Sequence, residues 1–127
     1  MRFGTLCPMR NVMRMIAIVS LLLWLSACVA TLNPEPPKPV TNGIRFTLLA
    51  PEAKQVTLVG SFNGWSPIAH RMLPAGSDGL WSVVVPLSEG EHAFMYLIDG
   101  IRWIAPPLAQ DFMTDGFGNT NGIVVVR

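Results

Sequence analysis

Residues 41–127 are a succession of short apolar–polar alternations cut by turn residues, at the spacing of about eight to twelve positions that marks sheet proteins. None of these segments repeats its apolar residues at the helical period, so the chain there is restricted to strands. Ile44-Arg45-Phe46-Thr47-Leu48 alternates as a half-buried strand does, and residues 55–59 form a second run. Residues 70–73 are a weaker candidate, followed by 80–85, closed by Pro86. Residues 91–98 are the longest; His92, Phe94, Tyr96 and Ile98 share one face of it and Ala93, Met95 and Leu97 the other. Asp99-Gly100 is the strongest hairpin signal in the chain and returns it through residues 101–104. Residues 122–126 close the sheet. The pattern predicts an all-β fold, a β-sandwich of about seven strands over residues 41–127.

The N-terminal third reads differently. Arg2, Arg10 and Arg14 precede an uncharged run from Met15 to Leu25 that ends in Leu25-Ser26-Ala27-Cys28. A basic region, a short apolar core and small residues describe a secretory signal, and the run is shorter than the ~20 residues a spanning helix needs. Leu25-Ser26-Ala27-Cys28 resembles the lipobox of bacterial lipoproteins. The resemblance implies a signal peptide over 1–27 and a lipidated Cys28 that ties the protein to the membrane. Two or more acyl chains anchor stably where one is marginal. Val29 is not the aspartate that marks inner-membrane retention, so the expected location is the cell envelope, at the outer membrane. Residues 28–40 hold the lipidated cysteine and Asn33-Pro34-Glu35-Pro36-Pro37-Lys38-Pro39. Proline at this density favours an extended chain, read as a stalk of roughly 35 Å.

Loss of the leader removes three basic residues and leaves six against eight acidic ones, near −2. No basic stripe of the kind nucleic-acid binding needs remains. Cys7 leaves with the leader and Cys28 takes lipid, so the domain is expected to hold itself together without a disulfide.

Gly60-Ser61-Phe62-Asn63-Gly64-Trp65-Ser66 breaks the second strand with a tight turn and then a tryptophan. An indole in that place is a lid on the core or a platform for a ligand; the turn favours presentation. The motifs Val56-x-Leu58-x-Gly60-Ser61-Phe62-Asn63-Gly64-Trp65, Leu80-Trp81-Ser82, Leu87-x-Glu89-Gly90-Glu91-His92, Tyr96-x-Ile98-Asp99-Gly100, Trp103 and Gly118-Asn119-Thr120-Asn121 occur in this order. The order resembles the glycogen-binding modules of carbohydrate-binding module family 48, found in β subunits of AMP-activated protein kinase and as early-set domains of isoamylases and branching enzymes. The resemblance implies an immunoglobulin-like sandwich that binds α-1,4-linked glucan without catalysis. Trp65 and Trp103 fall where the family stacks tryptophans on glucose rings, and Asn121 where it has a sugar-contacting asparagine. Asn119 sits two residues earlier, and Phe117 matches an apolar side chain that packs into the turn of the glucan. Met95 stands in place of the family's lysine; its thioether packs on a sugar face but donates no hydrogen bond. Ala105-Pro106 replaces the usual Asp-Pro after the second tryptophan.

Other chemistries find little support. His70 and His92 are isolated, without metal-ligand spacing, and no cofactor is implied. The carboxylates lie mainly in turns without the paired arrangement a glycosidase needs, and Gly116-Phe117-Gly118 opens no helix, so it fails as a phosphate loop. Trp81, between Leu80 and Val83, reads as structural. The alternative to a glucan-binding lipoprotein is an envelope module that keeps the fold and docks a protein partner.

Overall fold

The structure, a computed structural model, describes residues 7–23, 33–76 and 78–127. The chain divides into two compact units, residues 1–30 and 31–127. In the first, α1 (Cys7–Leu23) covers 17 residues, with Val12, Met15, Ile16 and Val19 among its exposed apolar side chains. No helix among the described residues is long and apolar enough to cross a membrane. The Leu25-Ser26-Ala27-Cys28 sequence lies outside the described residues.

The second unit is an all-β sandwich of two antiparallel sheets. One sheet runs β1-β2-β6-β5, from Lys38–Val40, Gly43–Leu49, Leu80–Val85 and Leu73–Pro74. The other runs β4-β3-β7-β10-β9, from His70–Arg71, Val56–Gly60, Gly90–Ile98, Thr120–Val126 and Asp111–Thr114. The short strand β8 (Arg102–Ile104) shares an edge of β7 with β10: β10 pairs its start, up to Phe94, and β8 its end, from Tyr96. Met95 therefore sits at the junction of the two partners.

Alternation sends Ile44, Phe46 and Leu48 of β2 inward against Val56, Leu58, Phe94, Tyr96, Ile98 and Val124 of the facing sheet. Phe46 meets Phe94 edge-on at 5.0 Å, and Phe94 meets Tyr96 at 5.8 Å, contacts worth about 0.5–1.5 kcal/mol each beyond their burial. The buried Tyr96 hydroxyl donates to the Thr47 carbonyl at 3.2 Å. Burial pushes its phenol well above the ordinary tyrosine range, so it remains a neutral donor. Trp81 is structural as expected: its indole N–H donates to the Ala50 carbonyl at 3.0 Å. The Asp99-Gly100 turn has both residues at positive φ, 54° and 72°, as a type I′ hairpin requires. One Asp99 oxygen accepts from the backbone of Lys54 and Gln55, which pins the turn to the start of β3.

Two expectations are corrected. The proline-rich stretch is not a free stalk over 28–40. Lys38–Val40 pairs with β2, and the backbone of Glu35 both donates to and accepts from the Thr47 hydroxyl, at 3.0 and 3.1 Å. Proline is compatible with this position because β1 is an edge strand, where a missing N–H costs no ladder bond. The weak segment at 70–73 is two strands, β4 in one sheet and β5 in the other, with buried Met72 at the crossing between them.

Candidate functional site

The outer face of the six-stranded sheet carries the site. On it the alternation that buries Phe94 and Tyr96 turns Met95 outward, opposite Val59 of β3. Trp103 of β8 lies opposite Leu97, two residues along the same face. That register turns Trp103 to the same face as Met95, where it is 49 % exposed.

Trp65 is delivered by the turn after β3. Ser61–Asn63 form one turn of 3-10 helix, Gly64 is left-handed, and Trp65 follows at φ 59°. A bulky residue at positive φ is an outlier, at a cost of about 1–3 kcal/mol that the surroundings must override. Trp65 N–H donates to the Gly60 carbonyl at 2.9 Å. The Asn63 side chain closes the turn, its Oδ1 accepting from Gly60 N–H at 3.1 Å and its Nδ2 donating to the Leu58 carbonyl at 3.1 Å. The indole so held is 40 % exposed.

The β9–β10 hairpin supplies the polar wall. Asp115 Oδ1 accepts from Phe117 N–H at 2.7 Å and from Asn119 N–H at 3.2 Å, while Oδ2 accepts from Asn119 Nδ2 at 2.7 Å. The Asn119 amide, with the Phe117 N–H next, holds the Asp115 carboxyl below the usual aspartate range. A depressed carboxyl contributes order above its free pKa and loses it as pH falls through the lowered value, so the hairpin is braced at neutral pH. Asp115→Ala is expected to speed hydrogen exchange at the Phe117 and Asn119 amides while leaving β7 amides unchanged; equal protection in both proteins would exclude the brace.

Trp65, Met95, Trp103, Asp115, Asn119 and Asn121 line one cleft of about 460 Å³, within the range of small-molecule sites, roughly 300–1,000 Å³. Its chemistry is two exposed indoles, a thioether and a set of carboxylate and amide groups. The Asn119 amide nitrogen is committed to Asp115, whereas the Asn121 side chain makes no hydrogen bond among the described residues and is free to donate and accept. No group of metal-ligating side chains occurs among the described residues.

Residues 31–109 match carbohydrate-binding module 48 (isoamylase N-terminal domain). The chain belongs to that family. Among relatives of this module 48 chain, a 1,4-alpha-glucan branching enzyme of Bacillus cytotoxicus is 40 % identical over 61 residues, 48 % of this chain and 10 % of the enzyme. A 1,4-alpha-glucan branching enzyme of Bacillus cereus is 40 % identical over 58 residues, 46 % of this chain and 9 % of the enzyme. The chain thus covers about a tenth of the length of these relatives. The module 48 match takes in Trp65, Met95 and Trp103 and stops before the β9–β10 hairpin.

Five of the six residues expected at the site come together: Trp65, Met95, Trp103, Asn119 and Asn121. Phe117 does not line the cleft; it stands at the hairpin tip, 90 % exposed. Asp115 was not expected there. Its signal is local: an aspartate before Gly116-Phe117-Gly118 with an asparagine four residues on can bond its own loop backbone.

A second cavity, of about 280 Å³, lies between Pro34–Pro37 and Pro106–Leu108. Two of its polar groups are already engaged, the Thr47 hydroxyl by Glu35 and the Tyr96 hydroxyl by the Thr47 carbonyl, and the Glu35 carboxylate is ion-paired with Lys38.

Proposed function

We propose that the protein is a non-catalytic carbohydrate-binding lipoprotein of the bacterial cell envelope, anchored through Cys28 at the outer membrane, and that its cleft takes an α-1,4-linked glucan. The observation that carries this is the meeting of Trp65 and Trp103 with an unengaged Asn121 in one cleft. A glucose ring offers C–H faces that pack on indole, while its rim hydroxyls need donors and acceptors. Both are present at one place, on a module 48 domain whose relatives are named as acting on 1,4-alpha-glucan. Met95 adds apolar area to the floor and no donor, so hydrogen bonding falls to the asparagines.

Native affinity electrophoresis of the full-length protein through gels containing glycogen or amylopectin tests the reading. Retardation that is reversed by free maltoheptaose is the expected result. The other reading, a partner-docking module, draws on Met95 in the lysine position and on the bare Phe117 at the hairpin tip. Unchanged mobility in every polysaccharide, with one protein captured by cross-linking from a Phe117 position, would select it.

A further inference from the structure

The Asn63 side chain has a third partner. Its Nδ2 lies 2.9 Å from His70 Nδ1. The orientation of the amide is fixed by its other contacts, since Oδ1 must face the Gly60 N–H and Nδ2 the Leu58 carbonyl. Both hydrogens of Nδ2 are therefore donated, one to Leu58 and one to His70. His70 Nδ1 has to be an acceptor, which requires a neutral imidazole protonated on Nε2. A proton on Nδ1 would set one N–H against another and remove a bond from the amide that closes the turn.

We propose that His70 is a positioning residue for Trp65: as a neutral acceptor it completes the Asn63 clamp, and its protonation loosens the turn that presents the indole to the cleft. The clamp matters because Trp65 is held in a left-handed conformation, which persists only while the turn is over-determined. His70 is half-buried on β4 opposite Leu58, with the Phe62 ring edge-on at 5.8 Å. Groups able to carry charge near it include Arg71, its neighbour on β4, and His92, whose ring lies 6.2 Å from that of Phe62. Strand β3 opposite presents Thr57 and Leu58, and β6, the other strand beside β4, has no titratable side chain. His92 Nε2 faces the Ser88 carbonyl at 2.8 Å, so its ring donates there whether neutral or charged. His70 thus differs from His92 in having a partner that tolerates only the neutral form.

The inference rests on the glucan reading for its consequence, but its structural part can be tested without any glycan. In the full-length protein the Trp65 indole N–H and Gly60 amide resonances are followed from about pH 8 to about pH 5. The expected result is a shift at both in the wild type, and none in His70→Asn, whose amide oxygen, bonded to Cγ as Nδ1 is, can accept from Asn63 at every pH. The Trp81 indole serves as the control that the core is unmoved, and His92→Gln is expected to keep the wild-type response. Maltoheptaose affinity is expected to fall about five-fold from pH 8 to pH 5 in the wild type, the worth of one net hydrogen bond, and to stay flat in His70→Asn. Trp65 and Gly60 signals that are flat in the wild type, or that move equally in His70→Asn, would overturn the role of His70. A Trp65 response without glucan binding at either pH would uphold that role and overturn the glucan reading instead.

Discussion

Changing Trp65 and Trp103 together to alanine should abolish measurable retention on immobilised glycogen, with each single change weakening it about tenfold. Tenfold corresponds to about 1.4 kcal/mol, the upper part of the range for an aromatic contact, about 0.5–1.5 kcal/mol beyond area burial. Two such losses from a cleft whose remaining apolar contact is Met95 leave little to hold a neutral sugar. The variant should stay folded, because both indoles are far from buried and neither belongs to the core cluster. A thermal midpoint close to the wild type would establish that the loss is one of binding. Undiminished retention of the folded double variant would remove the cleft from consideration.

Gly60→Ala should cost about 2–3 kcal/mol of stability, the upper part of the range for overpacking. The residue is extended, so conformation is not the obstacle. A methyl group there would stand 2.5 Å from the Ala93 carbonyl oxygen and 2.5 Å from the Phe62 ring. A strand carbonyl cannot step aside without opening the β3–β7 ladder, and Phe62 is packed against Phe46. Gly64 makes the contrast: its added carbon meets nothing within 4 Å, but its φ of 65° is left-handed, a burden for alanine of about 1 kcal/mol. Urea midpoints of the two variants should therefore fall in the order wild type, Gly64→Ala, Gly60→Ala. Equal midpoints for all three would refute the steric account.

The strand whose two faces differ was legible from alternation alone: β2 buries Ile44, Phe46 and Leu48 while Arg45 and Leu49 are more exposed. What escaped has physical reasons. Strand β9 is exposed at all four positions, so no alternation marks it, and it exists through its pairing with β10. Strand β1 is hidden by prolines that only an edge can hold. The site divides in the same way. Trp65, Trp103, Met95 and the asparagines were readable because a motif order brought them forward, and the direction of Trp103 came only with the β7–β8 register. Asp115 escaped because it works through three hydrogen bonds within its own loop, which spacing to distant residues does not reveal.

The docking of residues 35–40 onto β2 has a consequence for how the domain would meet a polymer. For a protein anchored at Cys28, the chain from there to Pro34 is a short leash, reaching at most about 25 Å at 3.3–3.6 Å per residue. Copies of the domain would be confined to a thin layer above one membrane, each presenting a single cleft. A glucan repeats the same unit along its length and could engage several copies at once. Avidity then replaces single-site strength: sites individually too weak to hold an oligosaccharide can hold the polymer 10²–10⁴-fold more tightly, roughly the gain expected for linked sites. A surface built in this way would sort glucans by length, retaining long chains and releasing short ones.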